Sequence, residues 1–261
     1  RLVDVAWIVA LVVGIVAVWK LHVLGTATNL TPMAAGDGFG YFLPAYVYEA
    51  ERVRHGGFPF WNPYQGGGVP FVATLQPGAL YPARLLMLLD SPARAMASSA
   101  LGHTLLGLVG TFALCRRLGT SAIAAAIAAL VFTTAFSLPS ITAPTVLEPG
   151  AWLPVIALAT VAVVWGGGWP WVVLLGVAAA MPALAGGYQL TLYALYGAAL
   201  FALAAVVDER GRAQPRARIV GRLAVAGMLA VATAAPQVFT TLAWSGETVR
   251  RTKPLTDMQM M

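Results

Sequence analysis

Seven long apolar segments constrain this chain more than any other feature of its sequence. A helix that crosses the hydrocarbon layer of a membrane, about 30 Å thick, needs about 20 largely apolar residues, because each residue adds about 1.5 Å of length. The segments approach or meet this length, and the fourth and fifth are the shortest. They are Val5–Leu24, Met96–Cys115, Ser121–Leu138, Trp152–Trp165, Trp169–Leu184, Leu190–Val207 and Ile219–Trp244.

The composition agrees with a membrane environment. Hydrophobic residues make up 59% of the 261 residues and charged residues only 10%, whereas an ordinary soluble domain is roughly 25% charged. So few charged side chains cannot cover the surface of a water-soluble protein of this size. The single cysteine, Cys115, excludes an internal disulfide and a cysteine-based metal site, because both need several thiols. We therefore expect lipid as the main solvent and no thiol redox chemistry.

The arginines predict how the segments are oriented, because arginine and lysine in short loops stay on the cytoplasmic side. Arg116 and Arg117 end the second segment, and residues 210–222 carry five arginines between the sixth and seventh. Both basic loops face the cytoplasm only if the N-terminus does. The long stretch 25–95 then faces outward, together with three shorter regions. These are Ser140–Gly150, Gly186–Gln189 and the tail after Trp244.

The predicted fold is therefore all-α, a polytopic integral membrane protein with about seven transmembrane helices and a long structured loop after the first. Residues 1–261 form a single membrane module, and the loop 25–95 is inserted between its first and second helices. The first segment is longer than the apolar part of a usual signal peptide and lacks a clean small-residue cleavage site, so we interpret it as an anchor. Because the chain begins at Arg1 without a methionine and ends at Met261 in a polar segment, we expect it to be part of a longer protein.

The net charge of +6 has an ordinary explanation in this setting. Basic residues of membrane proteins orient helices and contact lipid phosphates, so we expect membrane lipids as partners. No long basic run with interleaved aromatics indicates a nucleic-acid partner.

Glycine, proline and aromatic residues are concentrated in the predicted outer loop, which indicates an ordered, turn-rich structure. Trp61, Tyr64 and Phe71 combine an apolar ring with an outer-face location. Such rings either contact a substrate or belong to the aromatic belt at the membrane interface, and both readings stay open.

Two acidic residues are candidates for chemistry. Asp37 lies between glycines soon after the first segment, where a carboxylate could bind a divalent cation or accept a proton from a hydroxyl. Its alternative role is to cap the helix that starts near Phe39. Glu148 is the acidic residue of the next outer loop, where it either completes a two-carboxylate site with Asp37 or lies in water at a helix start.

Other polar residues have simpler interpretations. His103, within the second segment, is expected to donate one hydrogen bond to a neighbouring helix as a neutral imidazole. Arg250 and Arg251 follow the last segment on the predicted outer face, where they bind either a substrate phosphate or ordinary lipid headgroups. Gly166–Gly168 lacks the lysine of a phosphate-binding loop and is read as a turn.

Several of these motifs together resemble the YfhO-like bacterial membrane proteins, which belong with the GT-C glycosyltransferases. The most specific part is Gly57–Tyr64, reading GFPFWNPY, followed by the GGGVP of Gly66–Pro70. Asp37 before this block, the RRLG that closes the second segment and the Trp152–Pro154 that opens the fourth add to the resemblance.

The resemblance implies a GT-C-like enzyme of the bacterial cytoplasmic (inner) membrane that transfers a sugar from a polyprenyl-phosphate donor at the outer face. It implies that Asp37 and Glu148 are the catalytic acids and, if a divalent cation such as Mg or Mn is used, its ligands. The expected substrate-binding residues are Trp61, Asn62, Tyr64, Tyr188, Gln189, Arg250 and Arg251.

One departure from the pattern keeps a second function open. Relatives commonly have a histidine before the sixth segment, where this chain has Gly187–Gln189. The alternative function is therefore a non-catalytic transmembrane accessory subunit that packs against other membrane proteins in a larger complex. A transporter is a third, weaker reading, since it predicts ionisable groups at membrane depth and the sequence has few.

Overall fold

The structure, a computed structural model, describes residues 2–20, 36–207 and 214–248. It is 78% helical, which confirms the prediction of a nearly all-α protein. The strands in the described residues form one short antiparallel hairpin of β1 (Trp61–Asn62) and β2 (Val69–Pro70). Trp61 pairs with Pro70, and Asn62 pairs with Val69.

Ten α-helices follow one another through the described residues. They are α1 (Leu2–Trp19), α2 (Leu43–Arg54), α3 (Leu86–Leu89), α4 (Pro92–Arg117), α5 (Ala122–Phe132), α6 (Pro144–Ala151), α7 (Leu153–Val164), α8 (Trp169–Leu184), α9 (Tyr188–Val207) and α10 (Arg216–Ser245). Two π-helical turns, Gly38–Phe42 and Thr133–Ser137, adjoin α2 and α5, and 3₁₀ turns lie at Val72–Thr74 and Pro82–Leu85.

Four helical stretches in the described residues are long and apolar enough to cross a membrane. They are Leu2–Trp19, Pro92–Arg117, Pro144–Val164 and Arg216–Ser245. The other apolar helical stretches, Ala122–Ser137, Trp169–Leu184 and Tyr188–Ala204, are shorter. Large apolar side chains are exposed along α1, α5, α9 and α10, a surface that suits lipid better than water. The structure thus supports membrane-protein character, and seven crossings and a cytoplasmic N-terminus stay predictions.

Helix α4 begins four residues before the predicted start of its segment. Ser91 caps it by accepting a hydrogen bond from the backbone of Arg94 at 3.4 Å, and Pro92 occupies the first helical position. Both features are typical of helix starts. Because of this added first turn, α4 begins directly after the segment that precedes it. The packing of that segment on α4 positions the candidate site.

The predicted outer loop Ser140–Gly150 is helical in its second half. Residues Pro144–Ala151 form α6, which leads through Trp152 into α7, so this membrane stretch begins eight residues before the predicted start. The proline and glycine near its end disfavour a helix locally. Tertiary packing overrides this preference, because a Cβ at Gly150 would lie only 2.0 Å from the Phe136 ring. Glu148 is consequently a helical residue.

The connecting segment, which we define as residues 36–91, packs onto the N-terminal half of α4. Its buried side chains include Tyr46, Phe71 and Met87, and they meet Ala97 and Ala100 of that helix. Helix α4 also packs against α1, α5, α6 and α7, while α8 packs against α7 and α10. The connecting segment is therefore an integral part of the core.

The turn before α9 lies in close contact with α6, and a substitution in this turn tests whether the two pack together. A Cβ at Gly187 would lie 2.2 Å from Pro149 Cγ and 2.7 Å from the Thr145 carbonyl oxygen, so Gly187→Ala is expected to lose about 1–3 kcal/mol of unfolding free energy by overpacking. Gly197→Ala is the matched control, because no atom lies within 4 Å of its added Cβ. Thermal unfolding in detergent measures both variants. Equal stability of the two would contradict the contact between α6 and this turn.

Candidate functional site

Asp37 is exposed and begins the helical turn that leads into α2. Its backbone is already helical, with φ −64° and ψ −26°, and its side chain makes no capping hydrogen bond. The alternative role as a helix cap is therefore not observed. Asp37 makes no hydrogen bond or ion pair with another of the described residues. Its carboxylate is available to a ligand.

Glu148 lies in a different environment, since its side chain is only 3% exposed and forms an ion pair with Arg84. Arg84 Nη1 donates to Oε1 at 3.1 Å, Nη2 donates to Oε2, and Ser99 Oγ donates to Oε1 at 2.7 Å. The sequence alternative that places Glu148 in water is wrong. The space beside it, about 10 Å³, is no larger than one water molecule, so no sugar reaches it in this conformation.

Arg84 is fully enclosed by its partners. Its Nε donates to the Pro77 carbonyl at 3.0 Å, and its guanidinium carbon lies 4.2 Å from the centre of the Tyr46 ring. Burial lowers the pKa of Arg84, but the charge and hydrogen bonds of Glu148, together with the nearby Tyr46 and Glu49, more than offset that effect and leave the pKa above its ordinary value. Arg84 therefore keeps its positive charge inside the protein, where it forms a bidentate pair with Glu148.

A chain of hydrogen bonds continues from the ion pair. His103 Nδ1 lies 2.7 Å from the Ser99 carbonyl oxygen, and Nε2 lies 2.5 Å from the Tyr81 hydroxyl, which accepts from Trp152 Nε1 at 2.8 Å. Because a carbonyl only accepts, we assign the proton to Nδ1, and a neutral ring then accepts from Tyr81 at Nε2. The expected packing role of His103 fits this geometry. The predicted partner is wrong, because the acceptor is on its own helix and the donor is on the connecting segment.

Glu49 of α2 is a second buried acid beside this network. It is 5% exposed, and its Oε2 has no hydrogen-bond partner in the described part of the chain. Burial raises the pKa of Glu49 to about 7, although the positive charge of Arg84 opposes the rise. At neutral pH this side chain is thus partly protonated, which limits the negative charge around Arg84.

The raised pKa of Glu49 predicts a pH dependence of stability. Between pH 4.5 and about 7 the folded protein holds a proton that the unfolded chain has released, so the unfolding free energy falls as the pH rises through this window. The unfolding free energy is lower by on the order of 3 kcal/mol above this pH window than below it. Glu49→Gln is expected to flatten the profile, and the exposed Glu51→Gln on the same helix is not. Unfolding measured at pH 5 and pH 8 tests this, and an unchanged slope in Glu49→Gln would contradict it.

Two adjacent cavities open beside α2. The larger, about 620 Å³, lies along the turn that follows Asp37, and its wall includes Phe39, Val47, Asn62 and Gln65. The smaller, about 450 Å³, has a more polar wall that includes Arg52 and His55. Three side chains line both cavities. They are Tyr48, Glu51 and Tyr64. Volumes of this size are typical of small-ligand sites.

The structure brings together only part of the predicted site. Trp61, Asn62 and Tyr64 line these cavities, whereas Tyr188 and Gln189 are exposed at the start of α9 and do not line them. Glu148 lines neither cavity. The two predicted arginines, Arg250 and Arg251, lie outside the described residues.

The predicted acids do not fit a divalent cation. Both oxygens of Glu148 are engaged by Arg84, whose positive charge opposes a metal ion at the same place. Among the described residues no group of three or more His, Cys, Asp or Glu side chains comes close enough together to hold a metal. The reaction considered below therefore has no step through a metal.

Sequence reasoning missed the central residues of the network. Arg84 was one of four arginines in a long loop, and nothing local distinguished it, because its partner is 64 residues away. The spacing of Ser99 and His103, four residues apart on one helix face, was an available signal for a shared polar contact. Glu51, which lines both cavities, sits in an ordinary charged stretch of sequence.

The fold and the site define the class of protein as a helical membrane protein. In this protein a buried ionic network joins the first connecting segment to the helices. No known family model matches the chain, and no curated protein or solved structure matches it either.

Proposed function

We propose that this chain is a glycosyltransferase module that transfers a sugar from a polyprenyl-phosphate donor at the outer face of the cytoplasmic membrane. One observation carries the proposal: Asp37 is an exposed carboxylate without a described partner, two residues before Phe39 in the wall of the 620 Å³ cavity. The resemblance of the GFPFWNPY block to the YfhO-like proteins supports the same conclusion.

The cavity suits both parts of such a donor. Phe39, Leu43 and Val47 offer apolar contacts for the first isoprenoid units, while Asn62 and Gln65 offer hydrogen-bonding amides for the sugar. A mostly apolar pocket with a few polar groups is the usual form of a small-ligand site.

The proposed reaction needs one base at the acceptor. The Asp37 carboxylate takes the proton of the acceptor hydroxyl, and that oxygen forms a bond to the anomeric carbon of the donor sugar. The bond between this carbon and the phosphate oxygen breaks, and polyprenyl phosphate leaves with the electron pair. General base catalysis of this kind contributes about 10²–10⁴-fold in rate.

Glu148 has a positioning role in this proposal. Its ion pair joins Arg84 of the connecting segment to α6, and Ser99 joins both to α4. These contacts fix the C-terminal part of the connecting segment, and the same segment carries Asp37 and α2. Glu148 therefore acts through the position of the cavity wall and does not contact substrate.

A transfer assay tests the proposal directly. The complete protein in proteoliposomes, supplied with radiolabelled polyprenyl-phosphate sugars and membrane extract as the acceptor source, is expected to move label from the lipid to a product that partitions into water. Empty liposomes are the control. Label that stays on the lipid with every donor sugar tested would reject the transferase function.

A second function, a non-catalytic accessory subunit, is favoured by the same ion pair. A carboxylate fully used by an arginine is a structural element, and such pairs often specify how segments pack. This function predicts that the protein co-purifies with other membrane proteins in fixed stoichiometry and that Asp37 is dispensable for that assembly.

A further inference from the structure

We infer that the smaller cavity binds the acceptor as a saccharide, an inference that rests on the proposed transferase function. We call this cavity the Trp61 cleft and define it by six side chains. They are Tyr48, Glu51, Arg52, His55, Trp61 and Tyr64. It adjoins the larger cavity through shared walls, so an acceptor in the cleft lies next to a donor in the larger cavity, whose wall begins two residues after Asp37.

The aromatic side of the cleft is exposed and braced. Trp61 is 55% exposed and Tyr64 is 85% exposed, so both rings face a ligand without rearrangement. A Cβ at Gly68 would lie 2.6 Å from the Trp61 ring, and Gly68 has φ +116°, so only glycine lets the backbone support the indole here. This explains the last of the three glycines that follow the aromatic block.

Hydrogen bonds fix the backbone beneath these rings. The Tyr48 hydroxyl donates to the Trp61 carbonyl, and the Tyr64 backbone N–H donates to Asn62 Oδ1 at 3.0 Å. The second bond is the local turn that asparagine before proline favours. The backbone that carries these rings is therefore fixed before a ligand binds, which lowers the entropy cost of binding.

The opposite side of the cleft is polar. Glu51, Arg52 and His55 come from the last turns of α2, and all three have side chains able to bind hydroxyl groups. His55 Nδ1 lies 2.7 Å from the Glu51 carbonyl oxygen, which orients its ring. One wall thus offers aromatic faces and the other offers charged hydrogen-bonding groups.

This pairing matches the chemistry of a sugar ring. A pyranose has an apolar face of C–H groups that packs on an aromatic ring, and an edge of hydroxyls that binds carboxylate, guanidinium and imidazole groups. A volume of about 450 Å³ accommodates one or two sugar units. A membrane interfacial belt explains the aromatic wall alone and leaves the three ionisable side chains beside it without a role.

Isothermal titration of the complete protein in lipid nanodiscs tests the inference. The probes are the tetrasaccharides of glucose, N-acetylglucosamine and mannose. At least one is expected to bind, and Trp61→Ala is expected to weaken that binding about tenfold or more, while Trp61→Phe keeps most of it. Trp169→Ala is the matched control, because Trp169 is a tryptophan of similar exposure, 58%, at the start of α8.

Three outcomes would contradict saccharide binding in the Trp61 cleft. These are no binding of any tetrasaccharide, unchanged binding by both Trp61→Ala and Glu51→Gln, or equal loss in Trp169→Ala. Asp37→Asn separates the two proposals, since it is expected to abolish transfer and leave saccharide binding intact. Binding that depends on Trp61 without any transfer would reject the transferase and keep the cleft. Transfer with an acceptor KM that is unchanged in Trp61→Ala would reject the cleft as the acceptor site and keep the transferase function.

Discussion

Replacing Arg84 by methionine is expected to lower the free energy of unfolding by about 3–5 kcal/mol. The loss follows from the burial of Glu148, which is 3% exposed and would be left without its positive partner. Methionine keeps most of the volume of the arginine side chain. A large loss of unfolding free energy would therefore come from the missing charge more than from altered packing. Chemical unfolding in detergent micelles, followed by tryptophan fluorescence, measures the change.

Two controls separate the buried pair from ionic pairs in general. Arg94 pairs with Asp90 at 2.9 Å on the surface, with side chains 68% and 41% exposed, so Arg94→Met is expected to cost no more than about 1 kcal/mol. The double variant Arg84→Met with Glu148→Leu is expected to be more stable than Arg84→Met alone, because it removes both buried charges. A double variant as unstable as the sum of its two single variants would contradict the pairing.

Replacing Asp37 by asparagine is expected to reduce sugar transfer by about 100-fold or more. Asparagine has nearly the same size and cannot take a proton from the acceptor hydroxyl. Since Asp37 is exposed and makes no contact with another described residue, the variant is expected to fold and unfold like the unsubstituted protein. Initial rates in proteoliposomes and thermal unfolding of the same samples give both values.

Asp90→Asn is the control for this variant, since Asp90 is also an acid of the connecting segment with a solvent-accessible side chain, but it is paired with Arg94 and does not begin the turn that enters the wall of the larger cavity. Its transfer rate is expected to stay within about twofold of that of the unsubstituted protein, because among the described residues its carboxylate contacts only Arg94 and the backbone N–H of Ser91. Transfer that is unchanged in Asp37→Asn would show that another group accepts the proton.

The difference between the predicted and the observed site depends on particular residues. Asp37 was a candidate because glycines flank it, and it is indeed exposed and without a described partner. Glu148 was a candidate for the same chemistry, but its role depends on Arg84, which is 64 residues away in the chain. Residue type and local spacing do not reveal such a partner.

The sequence by itself determined the helices and their apolar surroundings, because helix formation and hydropathy are local properties that add along the chain. The aromatic block from Trp61 to Tyr64 was readable for the same reason, whereas the start of α4 at the Ser91 cap was placed four residues too late. Only the tertiary structure decided that Glu148 is buried against Arg84 and that α2 forms the wall of two cavities. These properties arise when distant residues exclude water together, and no local pattern in the chain specifies which residues meet.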